Sequence, residues 1–136
     1  MITFSKQDFE KQYQKIGRIY SPFFNEEIDF NYWGWNHLLK SGEGKPRIEK
    51  EFLNRFELLQ IACVLLTKKF PPVEYSCRKY STNFCVEFYS FIYAYCNENN
   101  EEYRLKVVIR QKTDTSKHFY SLIKTKHKHF QNKETP

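Results

Sequence analysis

The sequence predicts an α+β domain in which N-terminal helices pack on one face of an antiparallel β-sheet of four strands or slightly more. Apolar residues recur at helical spacing up to about residue 70 and at a spacing of two from residue 73 onward. Short polar links separate the later segments, and strands joined by short turns pair antiparallel. We therefore expect one domain over residues 1–125, followed by a basic polar tail over 126–136.

The first third of the chain predicts two helices with an extended stretch between them. Thr3 or Ser5 can cap the first helix, which Gly17 ends. Residues 23–30 have no helical stripe and should be extended, and Asn31 can cap a short second helix. The remaining predicted elements are a loop over 41–46, a helix over 47–70 that ends before two prolines, and strands over 73–80, 84–96, 103–111 and 118–125.

Matching the apolar faces of the last two strands predicts the register of their hairpin. Pairing residues whose numbers sum to 228 sets Ile109 beside Phe119 and Leu105 beside Ile123, both on the core face. In this register Ser121 also falls on the core face, unless a β-bulge turns it outward. The opposite, polar face then gathers five basic side chains: Arg104, Lys106, Arg110, His118 and Lys124.

Positive charge is concentrated at the C-terminal end, where residues 101–136 hold nine Lys or Arg against four acidic residues. Such a surface attracts polyanions, nucleic acid first and acidic membranes second, although the last residues could equally be a solubilising tail. No apolar run approaches the ~20 residues of a membrane span, and the N-terminus has no signal-peptide layout. We expect a cytoplasmic protein without a membrane partner.

The cysteine pattern gives no indication of a metal. Cys63, Cys77, Cys85 and Cys96 form no C-x-x-C pair, so zinc is not expected, and reduced thiols are favoured over disulfides. His127 and His129 belong to the basic tail more readily than to a metal site. We expect no metal and no cofactor.

The polar face of the hairpin, together with His37 of the predicted second helix, offers the groups that metal-free RNA cleavage needs. One imidazole can take the proton of the ribose 2′-hydroxyl, a second can protonate the leaving oxygen, and a cation can stabilise the phosphoryl charge. His37, His118 and Arg110 fit these roles, although each also has a plain structural interpretation as a packing or ion-pairing residue. Tyr120 and Trp33 would stack on unpaired bases.

Four motifs resemble a family of small phage- and mobile-element-associated nuclease domains: G-W-N-H-L at 34–38, R-F-E-L-L at 55–59, I-R-Q at 109–111 and H-F-Y-S at 118–121. That family is grouped with the barnase, EndoU, colicin and RelE-like ribonucleases of the BECR fold. The resemblance implies an active-site set of His37, Arg110, His118 and Ser121.

The functional hypothesis is a metal-independent endoribonuclease of toxin type, in which His37 and His118 act as general acid and base in an unassigned order. Its partners would be RNA and an antitoxin or immunity protein. A non-catalytic nucleic-acid-binding module and a protein-docking domain are the alternatives. The residues expected to contact nucleic acid are Lys106, Tyr120, Lys124, Arg104, Trp33 and Lys40.

Overall fold

A computed structural model describes residues 6–40, 44–96 and 98–126. Within these residues the chain forms three helices and six strands, which confirms the α+β class. The helices are α1 (Lys6–Ile16), α2 (Tyr32–Leu39) and α3 (Glu49–Leu66). The strands are β1 (Arg18–Ser21), β2 (Glu26–Asp29), β3 (Glu74–Ser81), β4 (Phe84–Cys96), β5 (Glu102–Lys112) and β6 (His118–Lys126).

The described strands form one mixed sheet in the order β1-β2-β6-β5-β4-β3. The expectation of a purely antiparallel sheet is wrong, because β2 lies parallel to β6 and pairs with it at Asp29 and His118. The β1–β2 hairpin was not predicted as strands, although β2 lies within residues 23–30, which were predicted to be extended. Its strands have only four residues each, too short to show a clear alternation of apolar and polar side chains.

A side-chain cap marks the start of α2, and a glycine marks the end of α1. The Asn31 side chain accepts a hydrogen bond from the Trp33 amide, so Asn31 caps α2 as predicted. Gly17 follows α1 with φ of 61°, a conformation that favours glycine. The predicted caps of α1 and the first part of the predicted 41–46 loop lie outside the described residues.

Helix α3 ends at Leu66, four residues earlier than predicted. The amides of Thr67 and Lys68 bond three residues back, which tightens the last turn, and the Thr67 hydroxyl donates to the Val64 carbonyl at 2.6 Å. These hydrogen bonds end the helix several residues before the two prolines, so the prolines do not determine where it stops.

The core lies between the helices and one face of the sheet. At its centre the rings of Phe30 and Phe119 stack at 5.1 Å, and the hydroxyl of Tyr13 donates to the Asn31 carbonyl at 2.7 Å. Helix α2 approaches β6 at Gly34, where a Cβ would lie 2.7 Å from the Phe119 carbonyl oxygen. Glycine at this position lets α2 pack directly on β6.

A β-bulge at Tyr120 corrects the predicted hairpin register. The pairs Arg110–His118 and Ile109–Phe119 are as predicted, but beyond the bulge every pairing shifts by one residue, so that Ser121 lies opposite Val108. Leu122 is therefore in the core, and Ile123, predicted to be buried, is 40% exposed.

The end of β6 lies close to the predicted domain boundary. The strand includes Lys126, one residue into the predicted tail, and residues 127–136, with His127 and His129, lie outside the described part of the chain. None of the three helices in the described part of the chain could span a membrane.

Candidate functional site

The candidate site lies where α2 packs beside the start of β6. Trp33 and His37 are one helical turn apart on α2 and so share a side of that helix. Arg110 comes from β5, and His118 and Tyr120 come from β6. The structure thus brings five residues into one group of contacts, which we call the Arg110 centre: Trp33, His37, Arg110, His118 and Tyr120.

Arg110 is a buried cation between two aromatic rings. The residue is 8% exposed, and its guanidinium carbon lies 4.1 Å from the ring centroid of Tyr120 and 5.1 Å from that of Trp33. Its Nε donates to His118 Nε2 at 2.9 Å, while the buried Nη2 has no hydrogen-bond partner. No salt bridge joins Arg110 to a carboxylate of the described residues.

The imidazole of His118 is held neutral. It is 3% exposed, and because Nε2 accepts from Arg110, the ring proton must lie on Nδ1. Burial, followed by the charge of Arg110, lowers the pKa of His118 to about 4, although a backbone hydrogen bond to Ser116 partly opposes this. His118 is therefore uncharged at pH 7.

His37 contacts the same group from α2. Its ring centroid lies 4.1 Å from that of Tyr120, and the Arg47 side chain donates to the His37 carbonyl oxygen at 3.2 Å. Burial and then the charges of Arg110 and Arg47 lower the pKa of His37 below its ordinary value. Both imidazoles of the centre are therefore neutral at pH 7.

Ser121 and Lys124 exchange faces relative to the prediction. The bulge puts Ser121 opposite Val108, which shares the polar face with Arg110, so the structure has the predicted alternative in which a β-bulge turns Ser121 outward from the core. The same shift pairs Lys124 with Leu105 and carries Lys124 to the core face, where its Nζ lies 4.2 Å from the Tyr103 ring centroid. Lys124 does not belong to the Arg110 centre.

The other predicted binding residues lie further from the centre. Lys106 pairs with Glu74 at 3.1 Å, so its charge is already balanced. Arg104 lies six residues before Arg110 on β5, about 20 Å away along the strand. Lys40 is exposed just after the last turn of α2.

The sequence prediction missed Lys112. Its Nζ lies 4.1 Å from the Trp33 ring centroid, and its charge also lowers the pKa of His118. Lys112 lies two residues after Arg110 and therefore on the same strand face. Alternation along the strand could have identified Lys112, but the predicted strand ended at Gln111, one residue too early.

Comparison of the chain with models of known protein families, with curated proteins and with solved structures finds no match. The resemblance to nuclease domains therefore stays a prediction, and the chemistry of the Arg110 centre has to be argued from its geometry.

Proposed function

We propose that the Arg110 centre binds a phosphate group of RNA and that the protein is a metal-independent endoribonuclease of toxin type acting in the cytoplasm. The observation that carries this proposal is the buried Arg110 guanidinium, which has an unpaired Nη2 and no carboxylate partner among the described residues. Burial of an uncompensated charge is costly, and strongly perturbed charged groups cluster at functional sites. An anion would complete the centre.

A phosphate fits the geometry of the guanidinium. The planar fork of arginine can donate two parallel hydrogen bonds to two phosphate oxygens. Rotation of Arg110 toward such a ligand would also free His118 Nε2, which now accepts from Arg110 Nε. Phosphate binding and release of the imidazole are thus coupled in this proposal.

The two imidazoles would then take different roles. His37 is neutral at pH 7 and less buried than His118, so we assign it the general base that removes the 2′-hydroxyl proton. The bound phosphate adds negative charge beside His118 and raises its pKa from about 4, which lets it protonate the leaving 5′ oxygen. Arg110 stabilises the charge that develops on the phosphoryl oxygens.

Single-stranded RNA is the substrate class that the surrounding rings favour. Trp33 is 45% exposed, so its indole has free surface on which an unpaired base can stack. Lys112, next to Trp33, can bind the neighbouring phosphate.

The test is incubation of single-stranded RNA with the purified protein in EDTA. We expect cleavage by wild type and by Lys106→Ala, whose charge is paired with Glu74 in the free protein, and loss of cleavage in His37→Ala and His118→Ala. RNA that stays intact with wild type, or that His118→Ala cleaves as fast as wild type, rejects the proposed mechanism.

One observation favours a non-catalytic nucleic-acid-binding module as the second candidate. His118 is 3% exposed with a pKa near 4, which suits a residue that positions Arg110 better than one that donates a proton. RNA binding that weakens steeply with salt, without any product, supports this alternative.

A further inference from the structure

A second group of reactive side chains lies at the β3–β4 edge of the sheet, on the opposite face from Arg110. Cys77 of β3 is directly opposite Glu87 of β4, and Cys85 lies two residues before Glu87. Alternation along the strands puts all three side chains on one face. Their ligand atoms, two thiol sulfurs and one carboxylate oxygen, all lie within 4.8 Å of one another.

Each of these three groups has its own hydroxyl partner. The Tyr89 hydroxyl donates to Glu87 Oε2 at 2.5 Å, and a side-chain hydrogen bond joins Tyr75 to Cys77. The Thr113 hydroxyl, which also contacts the Cys85 backbone, lies 3.6 Å from Cys85 Sγ. Hydrogen bonds of this kind orient ligand atoms around metal ions in proteins.

The donor set and its spacing fit zinc. Thiolates are soft ligands that select zinc over calcium or magnesium. Tetrahedral coordination at ordinary Zn–S and Zn–O distances puts ligand atoms roughly 3.5–3.8 Å apart, so the three side chains need to approach one another by no more than about 1 Å. Cys77 is exposed, which lets its side chain move and leaves room for water as a fourth ligand.

We propose that Cys77, Cys85 and Glu87 bind a zinc ion that joins β3 to β4. Linear spacing does not predict this site, because seven residues separate the two cysteines and the register of the hairpin brings them together. All eight residues of β3 are exposed, so the strand has little buried surface to hold it. A metal bridge to β4 would stabilise this edge of the sheet and is independent of the proposed ribonuclease activity.

The test is titration of the reduced protein with Zn²⁺, and with Co²⁺ as a spectroscopic probe. We expect one ion per chain, a thiolate-to-cobalt charge-transfer band, and a rise in the melting temperature when zinc is added. Cys77→Ser, Cys85→Ser and Glu87→Gln should each lower the affinity by at least about tenfold. Cys96→Ser removes another exposed thiol and should bind as wild type does.

Two outcomes overturn the proposal. One is wild-type protein, reduced and folded by circular dichroism, that binds neither ion at micromolar concentration. The other is Cys77→Ser and Cys85→Ser variants that bind zinc as tightly as Cys96→Ser. Because Ser replaces Cys on the surface at position 77, misfolding of that variant is not expected, and Glu87→Gln gives a second measurement that leaves both thiols in place.

Discussion

Lys117 and Arg110 are both buried cations in contact with aromatic rings, but only Lys117 has an acid. Lys117 is 7% exposed, and its Nζ lies 4.8 Å from the Phe24 ring centroid and 2.5 Å from Glu26 Oε2. Arg110 is 8% exposed and has an imidazole and two rings around it, with one nitrogen unpaired. The two cations are equally buried, but only the charge of Lys117 is balanced by a carboxylate. We therefore interpret Lys117 as a structural cation and Arg110 as one that binds a ligand.

The largest expected difference between the two cations is in RNA cleavage, which Arg110→Met should lower far more than Lys117→Met. Removal of a group that stabilises transition-state charge typically lowers the rate by about 100- to 1000-fold. We expect a loss of that size in RNA cleavage for Arg110→Met, measured in EDTA below the melting temperature of each variant. Lys117→Met should stay within about threefold of wild type, and an equal loss in both variants would remove the distinction.

The pH dependence of stability measures how far burial and the charge of Arg110 lower the pKa of His118. The folded-state pKa of His118, about 4, lies below the unfolded value near 6.5, so between these values the unfolded chain binds more protons. This contribution to stability is present above pH 6.5 and is lost as the pH falls. We expect a loss of about 1 kcal/mol between pH 7 and 5.5, and up to about 3 kcal/mol by pH 4.

Urea unfolding at several pH values measures this dependence. His118→Gln, which cannot titrate, should flatten the curve between pH 7 and 5.5, and a curve unchanged by the substitution contradicts the lowered pKa.

Gly34→Ala should displace aromatic rings that contact Arg110, whereas the rings that contact Lys117 should stay in place. The new methyl group would overlap Phe119 and Tyr13, so α2 must move away from β6 with Trp33 and His37. We expect a loss of about 2 kcal/mol in the free energy of unfolding, together with lower RNA cleavage. Gly44→Ala has free space but a φ of 80° and should cost only about 1 kcal/mol without affecting cleavage; equal costs would contradict the close packing at Gly34.

The smallest expected effect is on the free energy of unfolding of Arg110→Met and Lys117→Met. Lys117→Met leaves the half-exposed Glu26 without its partner and should lower the free energy of unfolding by about 1 kcal/mol. Arg110→Met removes an uncompensated buried charge and should leave stability unchanged or raise it. Chemical denaturation checks the difference, and a large destabilisation by Arg110→Met would identify Arg110 as structural.

Local patterns predicted the elements of the fold that have strong periodicity or a clear cap. The amphipathic spacing before Gly17, the cap at Asn31 and the alternation around Ile109 all correspond to observed elements. The pairing of β1 with β2 was not predicted because strands of four residues show no clear alternation, and the pairing of β2 with β6 was not predicted because it joins residues far apart in sequence.

In the candidate site, too, local patterns predicted some features correctly and tertiary contacts decided the others. Alternation and register put Arg110 beside His118 correctly, because that pair precedes the bulge. One extra residue at Tyr120 then moved Ser121 and Lys124 to opposite faces, and no residue type in the sequence marks that bulge. The contact of His37 with Tyr120 depends on the packing of α2 at Gly34, which is a tertiary feature.

The most direct test of the central claim is the affinity of a single-stranded RNA that cannot be cleaved because its 2′-hydroxyls are methylated. Titration of this RNA with wild type, Arg110→Met and Lys117→Met measures phosphate binding separately from catalysis. We predict binding by wild type and Lys117→Met that weakens as salt is added, and at least about tenfold weaker binding by Arg110→Met. Equal affinity of Arg110→Met and wild type would contradict the assignment of Arg110 as the phosphate-binding residue.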